Sequence, residues 1–166
     1  MLKLLKRVLV ALVVLALGVL AAGQMGALRG HRPTDLGVKD GRLKPPSATP
    51  NSVTSQAALY PDHPMRAYAG VDPLPLHGAA SASILALRQL LEAQPGAQVI
   101  EQREDYLYAE FTTPTLKFVD DVEFWADPVA QVIQVRSASR IGRGDMGVNR
   151  RRIETLRTQW AAAAKP

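Results

Sequence analysis

Residues 97–139, AQVIEQREDYLYAEFTTPTLKFVDDVEFWADPVAQVIQVRSAS, decide the fold because they contain four β-prone runs joined by short turns. The runs cover residues 97–103, 106–113, 117–125 and 129–137. In the second run Leu107, Ala109 and Phe111 alternate with polar residues, which is typical of a half-buried strand. Links this short leave no room for the crossover that parallel strands need. The sequence therefore predicts a four-stranded antiparallel sheet.

A helix is predicted on each side of these strands. Ile84, Leu87 and Leu91 recur at helical spacing before Pro95-Gly96 ends the segment. After Asn149, a second stripe is formed by residues 153, 156 and 160, which are Ile, Leu and Trp. Each apolar stripe must be buried against another element, so we expect an α+β domain with two helices packed on one face of the sheet.

The N-terminus is hydrophobic. Lys3, Lys6 and Arg7 precede a run from Val8 to Leu28 that has no charge and is long enough to cross about 30 Å of hydrocarbon as a helix. The positive flank is expected to stay in the cytoplasm, which predicts a single-pass inner-membrane protein with a periplasmic C-terminal domain if the cell is a diderm bacterium. Small residues at 21–23 leave open a cleaved signal peptide and secretion to the periplasm. The length of the run favours the uncleaved anchor.

Between this helix and the domain lies a segment rich in proline. Prolines occupy positions 33, 45, 46, 50, 61, 64, 73 and 75. No helical or alternating pattern is present there, so we expect an extended linker and strap that is ordered in places but has no regular secondary structure. The predicted division is residues 1–28 as signal anchor or transmembrane helix, 29–75 as linker and strap, and 76–166 as the globular α+β domain.

Composition excludes several classes of function. The net charge is +5, but without Lys3, Lys6 and Arg7 the chain has 17 basic and 15 acidic residues, too even a balance to favour nucleic-acid binding. The absence of cysteine excludes disulfides, thiolate catalysis and cysteine metal sites. The three histidines are scattered and lack the spacing of a zinc site. We expect no metal and no cofactor.

An acidic cluster lies in the third run. Because strand side chains alternate, Asp121 and Glu123 share one face and Asp120 lies on the other. Such a cluster could hold a metal or act as a general acid and base, or it could form a ladder of salt bridges, which we favour. Asp120 is expected to point inward, and a buried carboxylate needs a cation, for which Arg136 and Arg140 are the candidates.

A basic cluster follows the fourth run. Residues 142–147 form a literal G-x-G-x-x-G, but the preceding strand is antiparallel and no strand follows the last helix, so a nucleotide cofactor is not predicted. Arginines in the first turn of a helix cost about 0.3 to 1 kcal/mol each at exposed sites, so an anion is expected nearby. It could be an internal carboxylate, which we favour, or an external ligand. The candidate residues for anion or partner binding are Arg140, Arg143, Asn149, Arg150, Arg151 and Arg152.

Among these, Arg140 and Arg150 are expected to be structural. Arg143, Arg151 and Arg152 are expected to face solvent.

Several of these stretches together resemble the domain of unknown function 1499 family. The similar motifs are PNSVTS at 50–55, FVDDVEF at 118–124, VRSASRIG at 135–142, DMGVNR at 145–150 and IETLR at 153–157. They span most of residues 42–160. The motif positions are Asn51, Asp120, Asp121, Glu123, Arg136, Ser137, Ser139, Arg140, Gly142, Asp145, Gly147, Asn149 and Arg150.

The resemblance implies an exported or membrane-associated domain, without a known activity. Members often carry two cysteines near the first motif, where this chain has Pro46 and Ser52, so a redox or disulfide role is not expected here.

Two hypotheses for the function remain open. The first is a membrane-tethered binding or scaffold module of the cell envelope that recognises an anionic ligand or an envelope protein. The second is a periplasmic, hydrolase-like enzyme that uses Asp120, Asp121 and Glu123. No nucleophile with an adjacent base is evident, so the sequence favours the first.

Overall fold

The computed structural model describes residues 1–163 and consists of an N-terminal helix followed by a mixed α and β domain. The helices are α1 (Leu2–Gln24), α2 (Arg66–Ala69), α3 (Ala80–Glu92) and α4 (Val148–Ala163), and a short 3-10 helix spans Ala57–Leu59. The strands are β1 (Ser52–Thr54), β2 (Leu74–Pro75), β3 (Ala97–Gln102), β4 (Tyr106–Thr112), β5 (Val119–Asp127) and β6 (Val132–Ser139).

All strands belong to one antiparallel sheet. Its order is β1-β6-β5-β4-β3, and β2 pairs with β6 beside β1. The prediction of antiparallel pairing is confirmed, but the number of strands was wrong, since the sheet has six strands and not four. The two additional strands come from the proline-rich segment and cover the outer edge of β6. They have three and two residues, too few to show an alternating pattern in the sequence. Their pairing covers the edge of β6, and an uncovered strand edge is prone to aggregation.

The last two long strands begin later than the sequence predicts. β5 starts at Val119 because Lys117 has a left-handed backbone with φ 59°, which interrupts the strand there. β6 starts at Val132 because the Asp127 carboxylate accepts hydrogen bonds from the backbone amides of Val129 and Ala130 and builds a turn.

One face of the sheet carries the main core. Helices α3 and α4 both pack there, with Ile84, Leu87 and Leu91 of α3 beside Ile153 and Leu156 of α4. The strands contribute Leu107, Ala109, Phe111, Val122, Phe124, Ala126, Ile133 and Val135. The predicted helices and their apolar stripes are therefore confirmed, and both lie on one face.

The other face is covered by the segment that precedes β1. Leu43 is buried against Tyr106, Tyr108 and Trp125, and residues 36 and 38 pack beside them. Residues 52–75, for which the sequence predicts no regular structure, contain β1, the 3-10 helix, α2 and β2, so that expectation was wrong. Each of these elements depends on pairing or packing with distant residues, which local pattern does not reveal.

Helix α1 is apolar enough to cross a membrane. Its mean hydropathy is 2.5 in an 18-residue window, and none of that window is buried in the protein. A single-pass anchor and a signal sequence both have these properties. Its last turn nevertheless contacts the domain, because Gly23 is buried against the backbone of Leu116 and the Gln24 side-chain amide donates to the Thr115 carbonyl at 2.7 Å.

Candidate functional site

The outer face of the sheet, under the segment before β1, holds a buried charge network. Arg140 follows β6 and binds Asp121 of β5 with two nitrogens, Nε at 3.0 Å and Nη2 at 2.7 Å. Arg136 and Glu123 are opposite each other in the β5–β6 register, and their side chains approach to 3.4 Å. All four side chains are at most 5% exposed. Charges buried to this extent are stable only when each has its partner.

Glu110 of β4 extends this network. It accepts from Arg140 Nη2 at 2.5 Å and from Arg32 Nε at 2.6 Å. Burial raises the pKa of the Glu110 carboxyl, but the hydrogen bonds from Arg32 and Arg140 outweigh this effect and leave the pKa below its ordinary value. The network thus contains three arginines and three carboxylates, with Arg32 supplied by the segment before β1.

Two buried tyrosines complete the carboxylate contacts. Tyr106 donates to Glu123 at 2.9 Å, and Tyr108 donates to Asp121 at 2.5 Å. Burial is the main reason that the pKa of each tyrosine lies well above the ordinary value, and the neighbouring carboxylates add to it. The tyrosines therefore stay protonated and act as hydrogen-bond donors. The Gly37 amide also donates to Glu123, at 2.8 Å.

Asp120 belongs to a second network on the helix side of the sheet. Its partner is Arg152 of α4, at 2.5 Å, and not Arg136 or Arg140 as the sequence suggested. Those two arginines pair with Glu123 and Asp121 on the opposite face, and no residue pattern in the sequence places the first turn of α4 over the start of β5. The expectation that Arg152 faces solvent was wrong for the same reason, since its side chain is 11% exposed.

Arg152 is held by further contacts in the helix-side network. Its Nη1 donates to the Ser137 hydroxyl at 3.0 Å and to the Asn149 side-chain oxygen at 2.7 Å, and the guanidinium lies 4.7 Å from the centre of the Phe111 ring. Asn149 is fully buried, and its amide nitrogen donates to the Asn51 carbonyl and to the Ser139 hydroxyl, each at 3.0 Å. Asn149 therefore joins β6, α4 and the loop before β1, which is a structural task.

Asp145 caps the N-terminus of α4. Its carboxylate accepts the backbone amides of Gly147 and Asn149 at 2.9 and 3.0 Å and the Tyr68 hydroxyl at 2.6 Å. Burial raises the pKa of Asp145, but these hydrogen bonds outweigh it and lower the pKa overall. A carboxylate at this place also stabilises the positive end of the helix dipole, which offsets part of the cost of the arginines that follow.

The remaining arginines have three different environments. Arg150 donates to the carbonyls of Tyr68 and Gly70, which makes it structural as predicted. Arg151 is exposed and donates to the Met146 carbonyl at 2.8 Å. Arg143 is exposed, and within residues 1–163 it takes part in no ion pair. The exposure predicted for Arg143 and Arg151 is confirmed.

A polar cleft of about 250 Å³ opens beside the outer network, between residues 44–51 and the ends of β5 and β6. Its lining includes Asn51, Asp121, Arg136 and Arg140. Asn51 is 7% exposed and donates through its side-chain Nδ2 to the Gly142 carbonyl, but its buried side-chain oxygen has no hydrogen-bond partner among residues 1–163. Unpaired buried oxygens are uncommon in proteins, so this atom needs an explanation.

Arg136 and Arg140 also line this cleft, and each has one guanidinium nitrogen that the network does not use. Arg136 donates through Nε to the Pro45 carbonyl and through Nη1 to Glu123. Arg140 donates through Nε and Nη2 to the carboxylates of Asp121 and Glu110. Arg136 Nη2 and Arg140 Nη1 have no partner in the described part of the chain and are not among its buried unpaired atoms. The sequence did not reveal this cleft, although Asn51 in the PNSVTS motif was a signal for it.

The acidic cluster does not form an open catalytic pair. Asp121 and Glu123 share a face as predicted, yet each is bound by an arginine and a tyrosine. Within residues 1–163 no group of three His, Cys, Asp or Glu side chains is placed to hold a metal ion. The side chains that were predicted as one acidic cluster are thus divided between two networks.

Residues 42–160 match the family described as protein of unknown function (DUF1499). The chain belongs to this family. Most of both networks and of the polar cleft lies inside the matched part, whereas Arg32 and Gly37, which bind Glu110 and Glu123, lie before it. Comparisons with curated proteins and with solved structures gave no match.

Replacing Asp120 with Ala is expected to lower the free energy of unfolding by on the order of 3 kcal/mol, because Arg152 loses the carboxylate that pairs with it in a largely buried place. Chemical denaturation of the full chain in detergent measures this change. Glu154→Ala is the control, since it breaks a surface pair with Arg157 and should cost less than about 1 kcal/mol. The double variant Asp120→Ala, Arg152→Met should recover part of the loss, and equal stability of Asp120→Ala and wild type would contradict the pairing.

Glu110 should make the protein sensitive to acid. Its folded-state pKa lies below the ordinary 4.5, so its stabilising effect is complete above the pKa of the unfolded chain and is lost as the pH falls through the folded-state value. Glu110→Gln should therefore be less stable than wild type at neutral pH and lose less stability on acidification. Denaturant titrations from about pH 7 to pH 3 measure both slopes. Parallel pH profiles of the two proteins would contradict this assignment.

Proposed function

We propose that this protein is a membrane-tethered binding module of the cell envelope and that its ligand site is the polar cleft. The observation that carries the proposal is a cleft lined by Asn51, Arg136 and Arg140. Among residues 1–163, the Asn51 side-chain oxygen and one guanidinium nitrogen of each arginine have no hydrogen-bond partner. In the folded protein these atoms have positions fixed by their other hydrogen bonds. A ligand that bonds to all of them would satisfy groups that residues 1–163 leave unpaired.

The chemistry of the cleft describes the ligand. Guanidinium nitrogens bind carboxylate or phosphate oxygens, and the Asn51 oxygen accepts only from an N–H or O–H group. The best match is a small anion that also carries a hydrogen-bond donor, such as a hydroxy acid, an amino acid or a phosphate ester. A volume of about 250 Å³ lies just below the range of about 300–1,000 Å³ that is usual for ligand pockets, which indicates a small molecule.

The binding atoms are already held in place before a ligand arrives. Asp121 and Glu110 fix Arg140, while Glu123 and the Pro45 carbonyl fix Arg136. Binding therefore costs little side-chain entropy. The same pairing argues against the alternative, a periplasmic hydrolase based on the acidic strand, because a general acid or base must be free to exchange its proton with the substrate.

The proposed location is the periplasmic side of the inner membrane, with α1 as an uncleaved anchor. Lys3, Lys6 and Arg7 precede the apolar segment and favour a cytoplasmic N-terminus. The contacts of Gly23 and Gln24 with residues 115–116 support the anchor, because through them the end of α1 packs against the folded domain.

A reporter that is active only outside the cytoplasm, fused to the C-terminus, is expected to be active and to remain in the membrane fraction. The physical reason is the positive charge on the N-terminal side of α1. Reversing that charge by Lys3→Glu, Lys6→Glu and Arg7→Glu should lower the reporter activity. Recovery of a shortened, soluble protein would indicate signal cleavage, and an inactive reporter would contradict the proposed location.

Filling the cleft should abolish ligand binding. Ala138 lines the cleft, is opposite Asp121 in the register and carries no charge, so Ala138→Leu occupies the space without removing a polar contact. Thermal unfolding of the full chain in detergent is measured with lactate, alanine, glycerol phosphate and inorganic phosphate. A ligand at about 100 times its Kd should stabilise wild type by about 2.7 kcal/mol and Ala138→Leu by much less.

Ala130→Leu is the matched control for this experiment, because Ala130 is exposed in the turn between β5 and β6. It should respond to the ligand like wild type. An equal response of Ala138→Leu and wild type would move binding elsewhere on the protein, and no response of wild type to any of the four compounds would refute the cleft as a site for small anions.

A further inference from the structure

We propose that the end of the domain next to α1 binds the surface of an anionic phospholipid bilayer through four basic residues and an exposed methionine. The basic residues are Arg29, Lys117, Arg143 and Arg151, and the methionine is Met146. This inference rests on the membrane location proposed for α1. It does not depend on the polar cleft or on which side of the membrane the domain lies.

The contact between α1 and the domain sets the position of this surface. A Cβ atom added at Gly23 would lie 2.7 Å from the Leu116 carbonyl oxygen, so the helix and the link between β4 and β5 touch through their backbones. Lys117 is the next residue in that link. Arg29 follows shortly after the helix end, where a Cβ atom at Gly30 would lie 2.8 Å from the Ile141 side chain. The link between β4 and β5 and the segment that follows α1 therefore both lie beside the end of the helix.

The length of α1 places this end of the domain close to the lipid. The apolar part of the helix begins at Val8, after the last N-terminal cation. From Val8 to Gln24 a helix rises about 26 Å at about 1.5 Å per residue. The hydrocarbon layer is about 30 Å thick, so a helix of this length ends within several Å of its far boundary. The contact at Gly23 and the link at 115–117 then lie close to the headgroup region.

The loop at 142–147 is part of the same end of the domain. It forms one wall of a mostly apolar cleft of about 230 Å³ whose other wall includes Thr113 and Phe118, on either side of the link that α1 contacts. Met146 in this loop is 90% exposed and has φ 49°, a conformation uncommon for residues other than glycine. The fold thus holds a long apolar side chain in solvent at the place where a bilayer would cover it.

The charges of this surface are unbalanced within the protein. In the described part of the chain, none of Arg29, Lys117, Arg143 and Arg151 forms an ion pair. Two carboxylates that line the same apolar cleft are already paired, Asp120 with Arg152 and Asp145 with Tyr68 and the α4 amides. Basic residues at the boundary of a membrane anchor are attracted to anionic lipids. Charge and position therefore both indicate phospholipid headgroups as the partner.

A labelling experiment tests the contact. The chain has no cysteine, so Met146→Cys gives a single site for an environment-sensitive fluorophore on the full-length protein. Val129→Cys is the matched control, because Val129 is 92% exposed in the turn at the opposite end of β5. Both proteins are placed in nanodiscs of phosphatidylcholine alone or mixed with phosphatidylglycerol. Emission and quenching by aqueous iodide are then measured.

We expect the label at residue 146 to shift to shorter wavelength and to lose at least half of its iodide quenching when phosphatidylglycerol is present. The label at residue 129 should not change. Combining Lys117→Gln, Arg143→Gln and Arg151→Gln should abolish the effect. Lys39→Gln with Arg42→Gln should not, because these exposed residues flank Gly41, which lies near Trp125 toward the far end of β5.

Two results would overturn the proposal. One is a label at residue 146 that is quenched equally in both nanodiscs. That result would indicate that the basic residues bind a protein partner and not the lipid surface. The other is an equal effect of the two charge variants, which would show only a general attraction between cations and the bilayer. The thermal and reporter experiments on the proposed function do not use these readouts, so failure of one proposal is distinguishable from failure of the other.

Discussion

The interaction of Arg140 with Asp121 and Glu110 is the contact on which the outer half of the structure depends. A guanidinium and two carboxylates buried to this degree are tolerated only as a complete set, since loss of one partner leaves an uncompensated charge. Arg32, whose side chain is 53% exposed, adds a second cation to Glu110 from the edge of this set, and the neighbouring pair is contacted by the Gly37 amide and the Pro45 carbonyl. The segment before β1 is therefore an integral part of the fold, and its docking is coupled to the correct assembly of β4, β5 and β6.

Strand β5 connects the two halves of the protein because adjacent residues point in opposite directions. Asp121 and Glu123 serve the network under the N-terminal segment, while Asp120 binds Arg152 of α4. A shift of one residue in the β5 register would exchange these faces and separate all three carboxylates from their cations. We infer that the charges act mainly in the choice of one register, because apolar residues in the same places could contribute as much to the free energy of unfolding.

The sequence predicts those features that depend on short-range pattern. Alternation at 106–113 located β4, the spacing of Ile84, Leu87 and Leu91 located α3, and strand parity separated Asp120 from Asp121. Features that depend on distant contacts were not predictable. Strands of two or three residues are recognised only when β6 is present beside them, and the choice of Arg152 over Arg136 depends on where α4 lies. The cleft at Asn51 was missed because an unpaired oxygen is defined by the geometry of its neighbours.

The close backbone contact between Gly23 and Leu116 also limits how the domain can move. A domain on a flexible linker samples many heights and orientations above a bilayer, whereas one that docks on the end of its own membrane helix turns and tilts with that helix. In the proposed form with α1 as an uncleaved anchor, the polar cleft would keep a nearly constant height and direction relative to the lipid surface. Partners in the same membrane would meet the cleft by diffusion in two dimensions. Partners away from the membrane would have to diffuse to its surface, because the domain could not extend toward them.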